Sequence, residues 1–294
     1  MKINYSTVAN DKLASYRYRI KIPSEYLKKW GHEVVIGKPE QADVGVFSKH
    51  FNPRDPEFAR QPTRYGKVVF DVCDYHLDGP YREHYERMMT LADVITVGTG
   101  ELGMMINKYL GHDVKVIQDP YEFDEKEPKF DKCEKVLWFG HASNLSPLVR
   151  EVNNGVLNGK KLMVVSNPNA YFPTVPWSME AMEHGMDECD VVIIPQHDNR
   201  KNRCKGANRM VESIRSGRFV IANEMPAHNQ FKEWMYIGDI QEGLEWLEQN
   251  KSEIKDRIAM AQKYVQKTFS PEKISRSWLS ALTSGVATKS SMAI

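Results

Sequence analysis

The stretches Asp190–Pro195, DVVIIP, and Lys205–Glu212, KGANRMVE, decide the fold of this chain. The first is a short apolar run, which is typical of a strand buried in a parallel sheet. The second is predicted to form the helix that follows this strand. Lys205, Arg209 and Glu212 would then share one face, because residues three and four apart are neighbours on a helix. A strand followed by a helix is the repeating unit of α/β folds.

The charges on that face predict a ligand. Lys205 and Arg209 would repel each other on an ordinary surface helix. An anion between them, at a helix end whose free N–H groups point at it, would remove the repulsion. Glu212, one turn further, can accept hydrogen bonds from a ribose, so phosphate and ribose together indicate a nucleotide. The alternative is a solvated ion pair between Arg209 and Glu212 beside an exposed Lys205.

The composition indicates a globular protein of ordinary charge. Its 294 residues suffice for two domains, with 41% hydrophobic and 27% charged residues. The net charge of +1 gives no electrostatic argument for a nucleic-acid or membrane partner. The cysteines are too widely spaced for a zinc knuckle or a redox pair: Cys73, Cys133, Cys189 and Cys204. With no apolar signal or spanning segment, we expect a cytoplasmic protein without an integral membrane segment.

Apolar runs alternate with helical patterns in two series. The predicted strands of the first series are Lys2–Ser6, Glu33–Gly37, Val44–Ser48, Val68–Val72, Val94–Gly98 and Val114–Gln118. Those of the second are Val136–Gly140, Leu162–Ser166, Val191–Pro195 and Phe219–Asn223, with a doubtful strand near Tyr236. The charged stretch Asp119–Glu134 is predicted to be an interdomain linker. We therefore expect an α/β protein of two Rossmann-like, doubly wound parallel-sheet domains that face a cleft, 1–125 and 126–270.

Ligands of open α/β sheets bind beyond the carboxyl ends of the strands, so the polar residues that follow strands are the candidates for a site. In the second domain, His197, Asp198 and Asn199 are candidates for contacts to a sugar or pyrophosphate, with a surface loop of no function as the alternative. Gly140, followed by His141, would let the backbone approach a ligand closely. Asn208, in the predicted helix, joins these candidates for binding the donor.

In the first domain, Asp74 and His76 follow a strand and are candidate cleft residues, whereas Asp71 is interpreted as a structural carboxylate. The spacing of these three residues matches no strong zinc signature, so no metal site is expected. The candidates for the acceptor or phosphate side are Ser15, Arg17, Arg19 and His50. Solvated arginines on an amphipathic helix, and an ordinary loop histidine, are the alternatives. The glycine fingerprint of dinucleotide binders is absent, which disfavours simple hydride transfer.

Together these segments resemble the GT-B-fold glycosyltransferases, of the large nucleotide-sugar-dependent group that retains anomeric configuration. The N-terminal part is similar to their acceptor domain in ASYRYRIKIPSEYLKKWGHEVVIG, VVFDVCDYH, LADVITVGTGELGMMI and VKVIQDPYEF. The C-terminal part is similar to their donor domain in VLWFGHASN, ECDVVIIP, KGANRMVESIRSGRFVIA and RIAMAQKYVQKTFSPEKISRSW. The resemblance implies that Glu212 binds the ribose. It also implies that a helix at about 270–285 crosses back to the first domain. The Ser/Ala/Thr-rich tail at 283–294 has too little apolar content to pack, and we expect it to be frayed.

Two departures from the family pattern stand out. Cys204 occupies the position of an acidic residue that the family often has, and no Arg/Lys pair follows Gly140. The resemblance implies transfer of a sugar from a nucleoside diphosphate sugar to a hydroxyl acceptor, without metal or other cofactor. Asp74, His76, Lys205 and Arg209 are the candidate catalytic residues. A saccharide or lipid-linked sugar is the expected acceptor, with a hydroxylated DNA base as a further candidate. The alternatives are a sugar-nucleotide epimerase and a non-catalytic nucleotide-sugar-binding module.

Overall fold

The structure is a computed structural model of the chain, and it describes residues 1–49, 54–61 and 64–284. The chain divides into two compact units. Unit 1 comprises Met1–Pro120 and the chain from Pro271 onwards, and unit 2 comprises Tyr121–Ser270. Each unit contains one six-stranded sheet whose strand pairs are all parallel. The predicted fold class, two Rossmann-like parallel-sheet domains, is confirmed.

Unit 1 is built around a sheet with the strand order β2-β1-β3-β4-β5-β6. Its strands are β1 Lys2–Ser6, β2 Glu33–Gly37, β3 Ala42–Ser48, β4 Tyr65–Val72, β5 Val94–Val97 and β6 Lys115–Val116. Its helices are α1 Ala14–Tyr16, α2 Ile22–Lys29, α3 Asp55–Ala59, α4 Arg82–Leu91, α5 Gly100–Leu110 and α12 Pro271–Thr283. A π-helical turn, Arg17–Lys21, joins α1 to α2.

The core of unit 1 explains why the last helix belongs to it. Helix α12 packs against α2 and buries Trp278 completely among residues of the central strands such as Ile3 and Val44. The ammonium group of Lys67, in β4, donates to the carbonyl oxygens of Ala281 and Leu282, at 2.7 and 3.2 Å. A cation at the last turn of a helix compensates its free carbonyl groups. The C-terminal helix is therefore tied to the first sheet by both apolar and polar contacts.

Unit 2 has a sheet with the order β12-β11-β10-β7-β8-β9. Its strands are β7 Lys135–Phe139, β8 Lys161–Ser166, β9 Val175–Pro176, β10 Val191–Ile194, β11 Phe219–Ala222 and β12 Tyr236–Ile237. Its helices are α6 Ser146–Asn153, α7 Met179–Glu188, α8 Arg200–Arg203, α9 Asn208–Arg215, α10 Ile240–Gln249 and α11 Ile254–Phe269. The strand order reverses between β7 and β10, which is the position where open α/β sheets bind ligands.

Helix α12 is separate from α11, because Ser270 is extended ahead of Pro271. Two features differ from the sequence predictions. The predicted linker is packed against unit 2, because Phe123 and Phe130 are each 4% exposed and lie in the core of that unit. The unit boundary accordingly falls after Pro120 rather than near residue 125.

Candidate active site

The switch point of unit 2 holds a polar pocket of about 200 Å³. It is lined from the loop after β7 by Asn144 and Ser146, and from the loop after β10 by His197, together with Lys205. Because β7 and β10 are neighbouring parallel strands, their carboxyl ends bring these two loops together. The pocket therefore lies where the fold predicts a ligand site.

Lys205 reaches this pocket from a loop, not from a helix. Helix α9 begins at Asn208, and α8 ends at Arg203, so the predicted helical face that includes Lys205 does not exist. The Nζ atom of Lys205 donates a hydrogen bond of 2.7 Å to the side-chain oxygen of Asn144. Nε2 of His197 and the hydroxyl of Ser146 share a hydrogen bond of 2.8 Å. Each pair bridges the two loops and gives the pocket a defined polar lining.

Arg209, in the first turn of α9, is a cation without a counter-ion among the residues that the structure describes. Its side chain is half-buried, its Nη1 atom is fully covered, and that atom has no hydrogen-bond partner in the described part of the chain. The guanidinium carbon lies 5.8 Å from the centroid of the Trp138 ring. Burial lowers the pKa of Arg209 to about 10, and no carboxylate within residues 1–49, 54–61 and 64–284 offsets that effect. An uncompensated guanidinium of this kind favours the binding of an anion.

Gly140 lies beside this arginine. It follows β7 with a φ of +150°, a backbone conformation that other residues rarely adopt. A Cβ atom here would lie 3.8 Å from Cδ of Arg209 and 3.4 Å from the Trp138 ring. A buried acceptor, Oε1 of Gln196, lies in the loop after β10 and has no partner among the residues described. Unit 2 thus has one such donor in the first turn of α9 and one such acceptor just after β10.

The charge of Arg209 contributes to the lowered pKa of His228. It is 3% exposed, and its Nδ1 atom lies 2.8 Å from the carbonyl oxygen of Asn223, so Nδ1 carries the proton. Burial, together with the charge of Arg209, lowers the pKa of His228 to about 4. The ring is therefore neutral at pH 7 and does not add a further positive charge to the site.

Most of the other donor-side candidates have local structural contacts. The side chain of Asn199 caps α8 by accepting from the N–H group of Asn202, and the ring of His141 accepts from the N–H of Ser143. Asp198 pairs with Arg203 at 3.3 Å on the surface. Asn208 is the first residue of α9 and is half-buried. These contacts shape the loops of the site whether or not the same residues also touch a ligand.

Glu212 lies one turn after Arg209 and is only 1% exposed. The backbone N–H groups of Glu122 and Phe123 donate to its two oxygens, at 2.8 and 3.1 Å. The carboxylate therefore holds the chain that enters unit 2. Sequence analysis missed this contact because the partners are about ninety positions apart.

In unit 1, Arg19 has an internal role that the sequence left open. Its Nε atom donates to both oxygens of Asp71, at 2.9 and 3.0 Å, and its Nη1 atom donates to Asp119 at 2.8 Å. The Arg19 and Asp71 side chains are 2% and 0% exposed. Arg19 thus serves the core and is not available to an external anion, and Asp71 is the structural carboxylate that the sequence predicts.

The remaining unit 1 candidates lie at strand ends and at the start of the first helix. Asp74 pairs with Lys49, a residue that the sequence analysis missed and that has a φ of +50°. The ring of His76 lies against Tyr85, with centroids 5.0 Å apart. Ser15 is half-buried in α1. His50 lies outside the described residues.

Arg17 is 5% exposed and donates to the carbonyl oxygen of Asp11 at 2.7 Å.

Neither a metal site nor a membrane-spanning helix is found in the described part of the chain. Within residues 1–49, 54–61 and 64–284, no group of three potential metal ligands is close enough to hold an ion. No helix in the same part of the chain has the length and apolar character needed to cross a membrane.

Comparison with known proteins places the fold. No family model matches the sequence, and no curated protein matches it. An alpha-glucosyltransferase in complex with UDP and a 13-mer DNA containing a HMU base has a similar structure, with a TM-score of 0.70 and 9% identity, covering 96% of this chain and 99% of that chain. Anabaena Alr3699/HepE in complex with UDP-glucose gives a TM-score of 0.69 and 12% identity, covering 97% of this chain and 100% of that one.

TarM gives a TM-score of 0.65 with 12% identity, covering 89% of this chain but only 58% of TarM. The likeness to all three structures extends over both units of this chain. Together with the two parallel sheets, it shows that the chain has the GT-B glycosyltransferase fold.

Proposed function

We propose that the protein is a glycosyltransferase that moves a sugar from a nucleoside diphosphate sugar to a hydroxyl acceptor. The observation that carries this proposal is Arg209, at the carboxyl end of the switch-point strand β7, which is a half-buried cation without a carboxylate partner in the part of the chain that the structure describes. A diphosphate supplies the missing negative charge. UDP-sugars are the first donors to test, because structures with this fold are described in complex with UDP or UDP-glucose.

The proposed chemistry depends on stabilising the leaving group. As the bond from the anomeric carbon to the diphosphate breaks, negative charge grows on the departing phosphate. Arg209 and Lys205 would offset this charge, and charge-assisted hydrogen bonds of this kind are among the strongest that proteins make. We propose that these side chains act without a metal ion or other cofactor. We also propose retention of anomeric configuration, which the sequence resemblance implies.

The acceptor is proposed to be a hydroxyl group presented near unit 1, with Asp74 and His76 as the candidate acceptor-side residues. Proteins with this fold are described in complex with chemically different molecules: a DNA containing a HMU base in one structure, and fondaparinux, alpha-GlcNAc-glycerol and UDP in a TarM variant. A saccharide, a lipid-linked sugar and a hydroxylated DNA base therefore all belong in an acceptor screen. The four cysteines are free thiols, and we propose a cytoplasmic location on that basis.

The test is a thermal-shift panel of UDP-, GDP-, ADP- and dTDP-sugars on the wild type and on Arg209→Met. A ligand at a hundred times its dissociation constant stabilises the fold by about 2.7 kcal/mol. We expect stabilisation by one nucleotide class, and its loss in Arg209→Met. The matched control is Arg257→Met, because Arg257 also lies over an indole ring, 5.0 Å from Trp246, but has Glu253 as its partner at 3.0 Å.

The alternatives give different outcomes. An epimerase would convert the stabilising donor without any acceptor, which product analysis of the donor alone would reveal. A non-catalytic module would be stabilised by the nucleotide sugar and never consume it in the acceptor screen. An absence of stabilisation by every donor, in protein shown to be folded, would contradict the proposal.

A further inference from the structure

The pocket at the switch point of unit 2 has a positively charged lining. Lys201 and Lys205 both line it, and its lining residues, all of them in the part of the chain that the structure describes, include no aspartate or glutamate. Asp198, which belongs to the same loop, pairs with Arg203 on the surface instead. A cleft lined by charge of one sign attracts ligands of the other sign, so the pocket favours an anionic group.

A buried acceptor lines the same pocket. Gln196 is 8% exposed, and Oε1 of its side chain has no hydrogen-bond partner among the described residues. Its backbone N–H donates to Oδ1 of Asn223 at 2.8 Å, which fixes the start of the loop. A buried polar atom without a partner is costly, so a ligand that donates to it gains affinity. A hydroxyl can donate, whereas an ionised phosphate offers only acceptors.

Lys201 is held beside the pocket by the short helix α8. The side chain of Asn199 caps this helix by accepting from the N–H of Asn202. The side chain of Asn202 in turn donates to the carbonyl oxygen of His197 at 2.9 Å. Because His197 and Asn202 are themselves part of the pocket lining, these bonds fasten the backbone that carries Lys201 to the wall of the pocket.

We propose that this pocket binds the transferred sugar of the donor, and that this sugar is a hexuronic acid whose carboxylate pairs with Lys201. A hydroxyl of the same ring donates to Oε1 of Gln196, and Lys205 adds positive charge. The inference rests on the proposed function, in which the diphosphate lies at Arg209, a residue outside the pocket lining. A neutral hexose would leave the lysine without an anion, and a diphosphate alone would leave the Gln196 acceptor unmatched.

The test compares donors that differ only in the charge of the sugar. Calorimetric titrations compare UDP-glucose with UDP-glucuronate and GDP-mannose with GDP-mannuronate, and UDP and GDP report the nucleotide alone. The proteins are the wild type, Lys201→Met, Lys201→Arg and the control Lys161→Met. Lys161 is exposed like Lys201, but it begins β8 and so lies at the amino end of that strand. Circular dichroism checks that each variant is folded.

We expect the wild type to bind the acidic sugar nucleotide at least about tenfold more tightly than its neutral counterpart, the equivalent of one charged hydrogen bond. Lys201→Met should lose most of this preference and keep the wild-type affinity for the nucleotide alone. Lys201→Arg should keep the preference, because it keeps the charge, and so should Lys161→Met. Gln196→Met should weaken both sugar nucleotides alike and leave the nucleotide unaffected.

Three results would overturn the inference and leave the proposed function standing. One is equal or tighter binding of the neutral sugar by the wild type. Another is an undiminished preference for the acidic sugar in Lys201→Met. The third is an equal loss of affinity for UDP and for its sugars in that variant, which would show that the pocket holds the nucleotide. Failure of the wild type to bind any of these ligands would contradict the proposed function, and this inference with it.

Discussion

Arg19 in unit 1 and Arg209 in unit 2 show how the same side chain serves two purposes. Each guanidinium lies over a buried tryptophan ring, Arg19 at 5.1 Å and Arg209 at 5.8 Å. Arg19 forms ion pairs with two carboxylates, whereas Arg209 forms none in the described part of the chain. Burial alone would lower the pKa of both. The carboxylates nevertheless raise that of Arg19 well above its ordinary value, while that of Arg209 falls to about 10.

The difference lies in the balance of charge around the arginine. A buried cation whose charge is matched inside the fold is part of the core, and removing it leaves a carboxylate without a partner. A buried cation that is not matched costs stability by itself and gains when an external anion arrives. Arg19 is therefore structural, and Arg209 is the candidate ligand site. Replacing Arg19 should lower the stability of the fold, whereas replacing Arg209 should lower the affinity for the ligand.

The largest effect is expected from Arg19→Met. It leaves the carboxylate of Asp71 buried with only hydroxyl and thiol partners, and should lower the free energy of unfolding by about 4 kcal/mol. Urea unfolding followed by circular dichroism measures this loss. The double variant Arg19→Met/Asp71→Asn should recover part of it. A loss below about 1 kcal/mol would place Arg19 outside the core network.

The next largest effect concerns His228, whose pKa of about 4 in the fold compares with about 6.5 in an unfolded chain. As the pH falls from 6.5 towards 4, the unfolded chain takes up a proton that the folded protein does not, so stability falls. This loss should reach about 3 kcal/mol and be absent in His228→Gln. Unfolding free energies at pH 7 and pH 4.5 for both proteins measure it. An equal pH dependence in the two would show that His228 is not held neutral.

Arg209→Met should leave the free energy of unfolding unchanged or higher, because it removes an unmatched buried charge. Its affinity for UDP should fall by about 10- to 100-fold, corresponding to about 1.5–3 kcal/mol for charged hydrogen bonds. Arg209→Lys keeps the charge but not the planar fork, and should be intermediate. Calorimetric titration and urea unfolding together test this prediction. A variant with a lower free energy of unfolding and an unchanged affinity for UDP would show that Arg209 has a structural role, as Arg19 does.

Lys205→Met is expected to have the smallest effect, a decrease in UDP affinity of about fivefold, corresponding to about 1 kcal/mol. The lysine already donates to Asn144, so only part of its hydrogen-bonding capacity is available to a ligand. Lys160→Met is the control, because Lys160 donates to the carbonyl oxygen of Cys133 ahead of β7, at the other end of that strand. Equal losses of affinity in the two variants would indicate a general charge effect.

Sequence patterns were a good guide to the sheets. Strands β1 and β2 have the predicted bounds, because short apolar runs ending at polar residues or glycine encode buried parallel strands directly. The two-residue strand β9 was missed, since Val175–Pro176 has no apolar run to mark it.

The contacts of the site residues were harder to predict from sequence, because they join positions that are far apart in the chain. The pairing of Arg19 with Asp71 spans 52 positions, and that of Glu212 with Glu122 spans 90. No local pattern distinguishes these residues from Arg209, which lacks such a partner within the described ranges. What the sequence did indicate was the location: Gly140, His197 and Lys205 all follow strands that meet at the switch point of unit 2.

The measurement that tests the central claim most directly is calorimetric titration of the wild type with UDP, pyrophosphate and uridine. If an external diphosphate completes the charge of Arg209, then UDP and pyrophosphate should both bind. Uridine, which lacks phosphate, should bind at least 100-fold more weakly than UDP, because it forgoes about 3 kcal/mol of charged contacts. Uridine binding as tightly as UDP, with no heat from pyrophosphate, would show that the unmatched arginine is not a diphosphate site.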